Sequence, residues 1–245
     1  MGLFDKIFGK KECDICGGEI GLLGNRKLED GNMCKECAAK LSPFFSERRE
    51  STVAEIKEQL AYREANKEVV AAFNPTKVVE CDSFTLYFDE DKKQFIATRA
   101  NNWRNANPDV ISFAQVTGCE VEIEESKDEI TFKNKEGEET SYNPPRYKFF
   151  YDFNLILHIN HPYFNRLSIQ VNDTQAETRG SAAYREELKK AEDIKAIFTK
   201  VHEEERAAAA QAAAPKTPVV CSACGATTLP DANGCCEYCG APVAK

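Results

Sequence analysis

Hydrophobic and polar positions divide the chain into stretches of different period. Between 51 and 73 apolar residues recur at three and four: Val53, Ile56 and Leu60, then Val69, Ala72 and Phe73. That spacing predicts one amphipathic helix. Thr52 and Glu55 stand in capping-box relation at its start, and Pro75 ends it. Beyond 76 the period shortens towards two. Short runs rich in aromatic and β-branched residues lie at 84–88, 94–98, 110–113, 116–124, 129–133, 147–159 and 167–171. In the fourth, Cys119, Val121 and Ile123 alternate with Glu120, Glu122 and Glu124, as on a strand with one solvated face. About seven strands with short polar turns predict a barrel or sandwich. After Gly180 the helical period returns through Tyr184, Leu188, Ala191, Ile194, Ile197, Phe198 and Val201, a face fit to pack on the sheet or plug a barrel end.

Composition narrows the class. The chain has 245 residues, enough for two or three domains, and 32 basic against 40 acidic side chains give a net charge of −8. So acidic a chain is a poor non-specific nucleic-acid binder, because phosphate contacts need clustered Lys and Arg. No apolar run approaches the roughly 20 residues that span a bilayer, and residues 1–5 lack the apolar core of a secretory signal. The expected location is the cytoplasm, with the inner membrane face as a peripheral alternative. The expected division is an amphipathic segment 1–11, a four-cysteine finger 12–45, a connecting helix 46–75, a β-rich domain with its helix 76–206, an Ala/Pro linker 207–218 and a terminal module 219–245. The linker's Ala residues can prolong the preceding helix, and Pro215 and Pro218 stop it.

The eleven cysteines change the picture most. The count is odd and the expected compartment reducing, so a disulfide framework is not expected. Eight cysteines form four Cys-x-x-Cys pairs, which points to metal. Cys13 and Cys16 precede Cys34 and Cys37 by 17 residues. Four thiolates at this spacing suit one tetrahedral Zn²⁺. Gly17 and Gly18 fit a tight knuckle, 19–23 and 26–28 read as a short hairpin split by Gly24-Asn25, and the second pair opens a helical stretch. Knuckle, hairpin and helix in that order predict a treble-clef finger. Cys221 and Cys224, 11 residues before Cys236 and Cys239, each pair followed by Gly, predict a zinc ribbon. Cys235 is a spare thiol, because only Cys236 keeps the two-residue spacing. So small a module has little apolar core, and zinc must supply most of its folding free energy. The expected cofactors are therefore two structural Zn²⁺ ions, since four cysteines leave no open coordination position.

Other chemistry is sparse. His158, His161 and His202 are the three histidines. The first two stand three apart on a strand, on opposite faces, and read as structural. There is no phosphate loop, nucleophile elbow or His-Glu-x-x-His motif, and Cys81 and Cys119 have no nearby His, so no enzyme is expected. Trp103, with Arg99 and Arg104, lies in a polar loop that either binds or folds back on the sheet. At the amino terminus Leu3, Phe4, Ile7 and Phe8 share a helical arc of about 140°. That stripe either lies in a membrane interface or covers the small finger's apolar face.

The run from Cys13 through Glu19-Ile20-Gly21-Leu22-Leu23-Gly24-Asn25-Arg26-Lys27-Leu28, Asp30-Gly31 and Cys34 to Cys37, with Lys40-Leu41-Ser42-Pro43, resembles the four-cysteine finger of a bacterial domain family of unknown function. The resemblance covers about 11–60 and implies a zinc-binding, cytoplasmic bacterial protein without an assigned activity. Members continue into a β-rich region with a segment like His161-Pro162-Tyr163-Phe164. The middle region is similar in order to pleckstrin-homology-like (PH-like) and GRAM-like domains, on its seven strands, its helix and the stretch Ile111-Ser112-Phe113 to Val121. That likeness implies binding of lipids, peptides or proteins, although no basic lipid pocket is evident. The expected whole is an α+β multidomain chain: treble-clef finger, PH-like seven-stranded barrel with a C-terminal helix, and zinc ribbon. The expected function is a non-enzymatic adaptor for protein or membrane surfaces, its oligomeric state open. Two alternatives stand beside it. One is a nucleic-acid-associated zinc-finger protein, against which 219–241 contains no Lys or Arg. The other is a thiol or metal-stress sensor using Cys235 or the cluster thiols.

Overall fold

Helix α2 (Val53–Ala72) joins two different cores, and what it buries along its length organises the fold. The computed structural model describes residues 11–82, 84–213, 218–229, 231 and 234–243. The side chains of His202 and of 205–213 lie outside the described residues, as does the stripe Leu3, Phe4, Ile7 and Phe8. The chain forms two units, Met1–His202 and Glu203–Lys245.

The first unit opens with small paired strands. Strand β1 (Lys11–Glu12) pairs antiparallel with β2 (Glu19–Ile20), and β3 (Arg26–Lys27) with β4 (Asn32–Met33). The hairpin expected between 19–23 and 26–28 is therefore replaced by two separate ladders. The cause is local: Gly24 donates its amide to the Gly21 carbonyl at 2.8 Å, closing a turn that takes Leu22 and Leu23 off the strand. Helix α1 (Lys35–Ala38) follows, capped by Cys34. Cys13, Ile20, Leu28, Met33, Cys34, Cys37 and Leu41 form a core that Ile56 of α2 completes.

The capping box at the start of α2 is present, with Thr52 and Glu55 exchanging side-chain and backbone bonds. Asp30 adds a second tie by accepting the Val53 amide at 2.7 Å. The apolar stripe expected along the whole helix holds only at its ends. Val69 is 41% exposed, and the buried positions are Ile56, Gln59, Arg63, Asn66 and Val70. The middle of the helix buries polar groups because it faces the Lys40 carbonyl and the loop 107–109, described below. Its far end packs Val70 and Phe73 against Ile96, Trp103 and Val110. Trp103, on the short helix α3 (Trp103–Ala106), thus folds back on the sheet.

Seven strands, of which the one at Lys77–Glu80 was not expected, form two antiparallel meanders. The first orders β5 (Lys77–Glu80), β6 (Thr85–Asp89), β7 (Gln94–Thr98) and β8 (Val110–Ser112); the second orders β9 (Val116–Lys133), β10 (Glu139–His161) and β11 (Phe164–Gln170). Neither closes into a barrel. The chain passes from β8 to β9 through a 3-10 turn, Phe113–Gln115, without pairing those strands. The expected segments 116–124 and 129–133 are one continuous strand. Their polar connection stays extended because Glu125, Ser126, Lys127 and Asp128 pair with Tyr151, Phe150, Phe149 and Lys148 of β10. Helix α4 (Ala182–Ala213) extends the expected helix through the alanines assigned to the linker. Its residues Tyr184, Ala191, Ile194 and Phe198 complete a core with Phe88, Phe95, Phe113, Phe153, Leu155 and Ile169 from both sheets.

In the second unit β12 (Val219–Val220) pairs with β13 (Thr227–Thr228). Cys221, Cys236 and Val243 form its small core.

Candidate metal centres

Three of the four Cys-x-x-Cys pairs build the same turn. The residue after the second cysteine is glycine with φ of 71° (Gly17), 73° (Gly225) or 70° (Gly240), a left-handed conformation that side chains with a Cβ disfavour. The turn lets Gly17 donate to the Cys13 carbonyl at 2.7 Å, and Gly225 and Gly240 donate to those of Cys221 and Cys236 at 2.8 Å. Amides inside the turn then point at sulfur. The fourth pair uses a helix terminus instead: Cys34 caps α1, and its sulfur accepts the Cys37 amide at 3.4 Å. Cys13 sulfur accepts the Cys34 amide at 3.2 Å.

These elements bring together Cys13, Cys16, Cys34 and Cys37, and separately Cys221, Cys224, Cys236 and Cys239. In each set the sulfurs lie within 4.8 Å of one another. Cys16 and Cys34 sulfurs are 3.9 Å apart, Cys221 and Cys239 3.6 Å, and Cys224 and Cys236 3.7 Å. A tetrahedral ion about 2.3 Å from each sulfur would set them about 3.8 Å apart, whereas a disulfide needs about 2.0 Å. The two clusters are thus consistent with two structural zinc ions. Cys236, not Cys235, enters the second set.

Protonation supports the same reading. Burial works against the Cys13 thiolate, yet the amides of Cys34, Cys16 and Ile15 outweigh it and bring the thiol down to about 6. Burial also opposes the Cys236 thiolate, and the amides of Tyr238 and Cys239 bring it down to about 7. Amides of Cys224 and Ala223 lower Cys221 as well. Negative charge on these sulfurs holds protons on their neighbours. Cys37 is pushed up by burial and by the surrounding cysteines, and Cys239 reaches about 12, where neighbouring thiols overcome the Ala241 amide. Four close sulfurs cannot all ionise alone, and a divalent cation resolves that repulsion. Away from the clusters, burial raises Cys81 to about 11 and Cys119 to about 12, which makes both poor nucleophiles.

Beside the first cluster lies a buried polar bolt that pattern reading missed. Arg63 donates to Asp109 Oδ1 at 2.6 Å, to the Lys40 carbonyl at 3.2 Å and to the Asn107 carbonyl. Asp109 Oδ2 accepts from Ser42 Oγ at 2.7 Å. Asn66 donates to the Pro108 carbonyl at 2.7 Å, and Asn107 Nδ2 donates to the Arg63 carbonyl at 2.8 Å. Arg63 and Asp109 are both buried, so their mutual pairing offsets the cost of desolvating each. The one sequence signal for it was the eight-residue gap in the stripe between Leu60 and Val69. Gln59, on the same face, is 1% exposed and its amide finds no partner among the described residues.

Two of the three histidines, His158 and His161, have described side chains. His161 is buried and stacked on Phe164 at 4.0 Å. Burial lowers its pKa, Asp109 opposing and Arg63 reinforcing the shift. Its Nδ1 accepts the Tyr163 amide at 3.3 Å, which assigns the proton to Nε2 and a donated bond to Tyr62 Oη at 3.0 Å. His158 lies on the opposite, exposed side, 3.2 Å from Glu120. A cleft of about 640 Å³ separates finger from sheet, lined by Ser42, Phe44, Phe84, Arg99 and Arg166 among others.

A family described as Domain of unknown function (DUF4428) matches residues 11–59. That span holds the first cysteine set and Ile56, and it ends four residues before Arg63. No curated protein matches the chain, and no solved structure does. Among the described residues no helix is long and apolar enough to cross a membrane.

Proposed function

We propose that the chain is a non-enzymatic, cytoplasmic adaptor in which zinc-stabilised modules and a PH-like or GRAM-like domain recognise protein or membrane surfaces. In this reading 12–45 is a treble-clef finger, 76–206 the PH-like domain and 219–245 a zinc ribbon. The observation that carries it is the completeness of both thiolate sets. A metal held by four sulfurs has no position left for water or substrate, so it supplies shape and not reaction. A meander of four strands, a meander of three and a capping helix support the PH-like assignment. The cleft between finger and sheet offers room for a peptide segment or a headgroup.

The test has two arms on the full chain. Cobalt exchanged for zinc is expected to give a tetrahedral thiolate spectrum that excess azide or imidazole leaves unchanged. A shift with either ligand would reveal an open position and overturn the non-enzymatic reading. Cross-linking in cells followed by mass spectrometry is expected to join one recurring protein partner, or lipid, to residues 76–206. No recurring adduct, together with membranes free of the chain, would overturn the adaptor reading.

A further inference from the structure

The finger carries a convex tip for which the fold has no use. Leu22 is 83% exposed and Leu23 is 89% exposed, side by side in the turn between β2 and β3. A short turn closed by the Gly24 amide on the Gly21 carbonyl, 2.8 Å, leaves these side chains no inward direction. Both residues stand outside the finger's core, which is complete with Ile20, Leu28, Met33, Leu41 and Ile56.

Four cations gather along the strand that follows this turn. Arg26 reaches back to donate to the Leu23 carbonyl at 3.3 Å. Arg48 donates to the Lys27 carbonyl, which sets the 3-10 turn Arg48–Glu50 beside β3. Arg26, Lys27, Arg48 and Arg49 line one open depression of about 790 Å³. Glu29 shares it, yet among the described residues no carboxylate lies within ion-pairing distance of any of the four. In a chain of net charge −8 such a cluster is a local reversal of sign. Burial lowers the pKa of Arg48, and repulsion from Arg49 and Arg26 adds to it.

We infer that the finger tip docks on anionic lipid bilayers, Leu22 and Leu23 entering the acyl boundary while Arg26, Lys27, Arg48 and Arg49 meet lipid phosphates. This deepens the adaptor reading by naming one of its surfaces, and rests on it. The chemistry favours a bilayer over the other polyanions. A nucleic acid would want aromatic platforms or hydrogen-bonding side chains at the tip, and two leucines offer its phosphates nothing. An acidic protein segment would want a groove for its own side chains, whereas these leucines project from a convex turn. A fluid apolar interior under a negative surface satisfies both features at once.

The experiment is flotation of the zinc-loaded full chain with phosphatidylcholine vesicles, with and without phosphatidylserine. Three forms are compared: wild type, Leu22→Ser with Leu23→Ser, and Lys27→Ala with Arg49→Ala. The substituted side chains are exposed, and zinc content and melting temperature check that each variant is folded. Wild type is expected to float with serine-containing vesicles only, and each pair of substitutions to weaken binding roughly tenfold or more. Equal flotation of all three forms would overturn the inference and move binding to another part of the chain. Retention on single-stranded RNA with no flotation would overturn it in favour of nucleic acid. Absence of flotation alongside a recurring cross-linked protein partner would overturn this inference and leave the adaptor reading standing.

Discussion

Asp109 is the residue on which the finger and the sheet depend together. Both its oxygens are engaged, one by Arg63 and one by Ser42, and neither reaches solvent. Removing one partner of a buried ion pair leaves the other charged, dry and unpaired, which costs more than the pair contributes. Asp109→Ala is therefore expected to destabilise the first unit by about 3–5 kcal/mol, read by urea or thermal unfolding. Two zinc ions should remain bound, because the hydrogen bonds of the bolt go to residues other than the cysteines. Loss of less than about 1 kcal/mol would show that water already screens the pair. Sequence reading could not find this residue: an Arg on a helix and an Asp in a loop ordinarily face solvent, and nothing local marks them as partners 46 positions apart.

The same point governs helix α2. Its capping box and its stop were legible, because both are made by neighbours in sequence. Its buried face was not, because the pattern assumes that what lies opposite is apolar. Opposite its middle stand the backbone of 107–109 and the Lys40 carbonyl, and these select Arg63 and Asn66. The apolar stripe consequently shifts by one position, from Val69 to Val70. Val69→Ser is expected to change stability by no more than about 0.5 kcal/mol, and Val70→Ala to cost about 2 kcal/mol, in parallel thermal melts. Equal costs would mean that the helix rotates in its seat. The strands repeat the lesson. Their alternation was readable, but the join of 116–124 to 129–133 was not, since only pairing with β10 keeps the charged stretch between them extended. The cysteine sets were the most legible part of the chain. A thiolate pair and its following glycine are local features, and four sulfurs at those spacings have few ways to meet.

At the scale of the molecule the two metal centres belong to two units. Among the described residues the sheet core uses none later than Val201, and the tail's core lies within 219–243. Elemental analysis is expected to find two zinc ions per chain. Cys224→Ser should lower that to one and leave the main thermal transition unshifted, since the tail has few apolar contacts besides its metal. A main transition that falls with the loss of the tail's zinc would show the cores to be energetically linked. The bolt of Arg63 and Asp109 also decides where the chain can be cut. Residue 59, where the family match ends, lies inside α2, downstream of every ligand of the first metal and upstream of Arg63. A fragment stopped there would keep its four sulfurs and Ile56. It would also sever a helix in mid-course and strip from the Lys40 carbonyl and Ser42 the groups that hold them. The piece recognised as a family unit is thus shorter than the piece that is mechanically whole, which must reach past Asp109 to keep Arg63 and Ser42 paired.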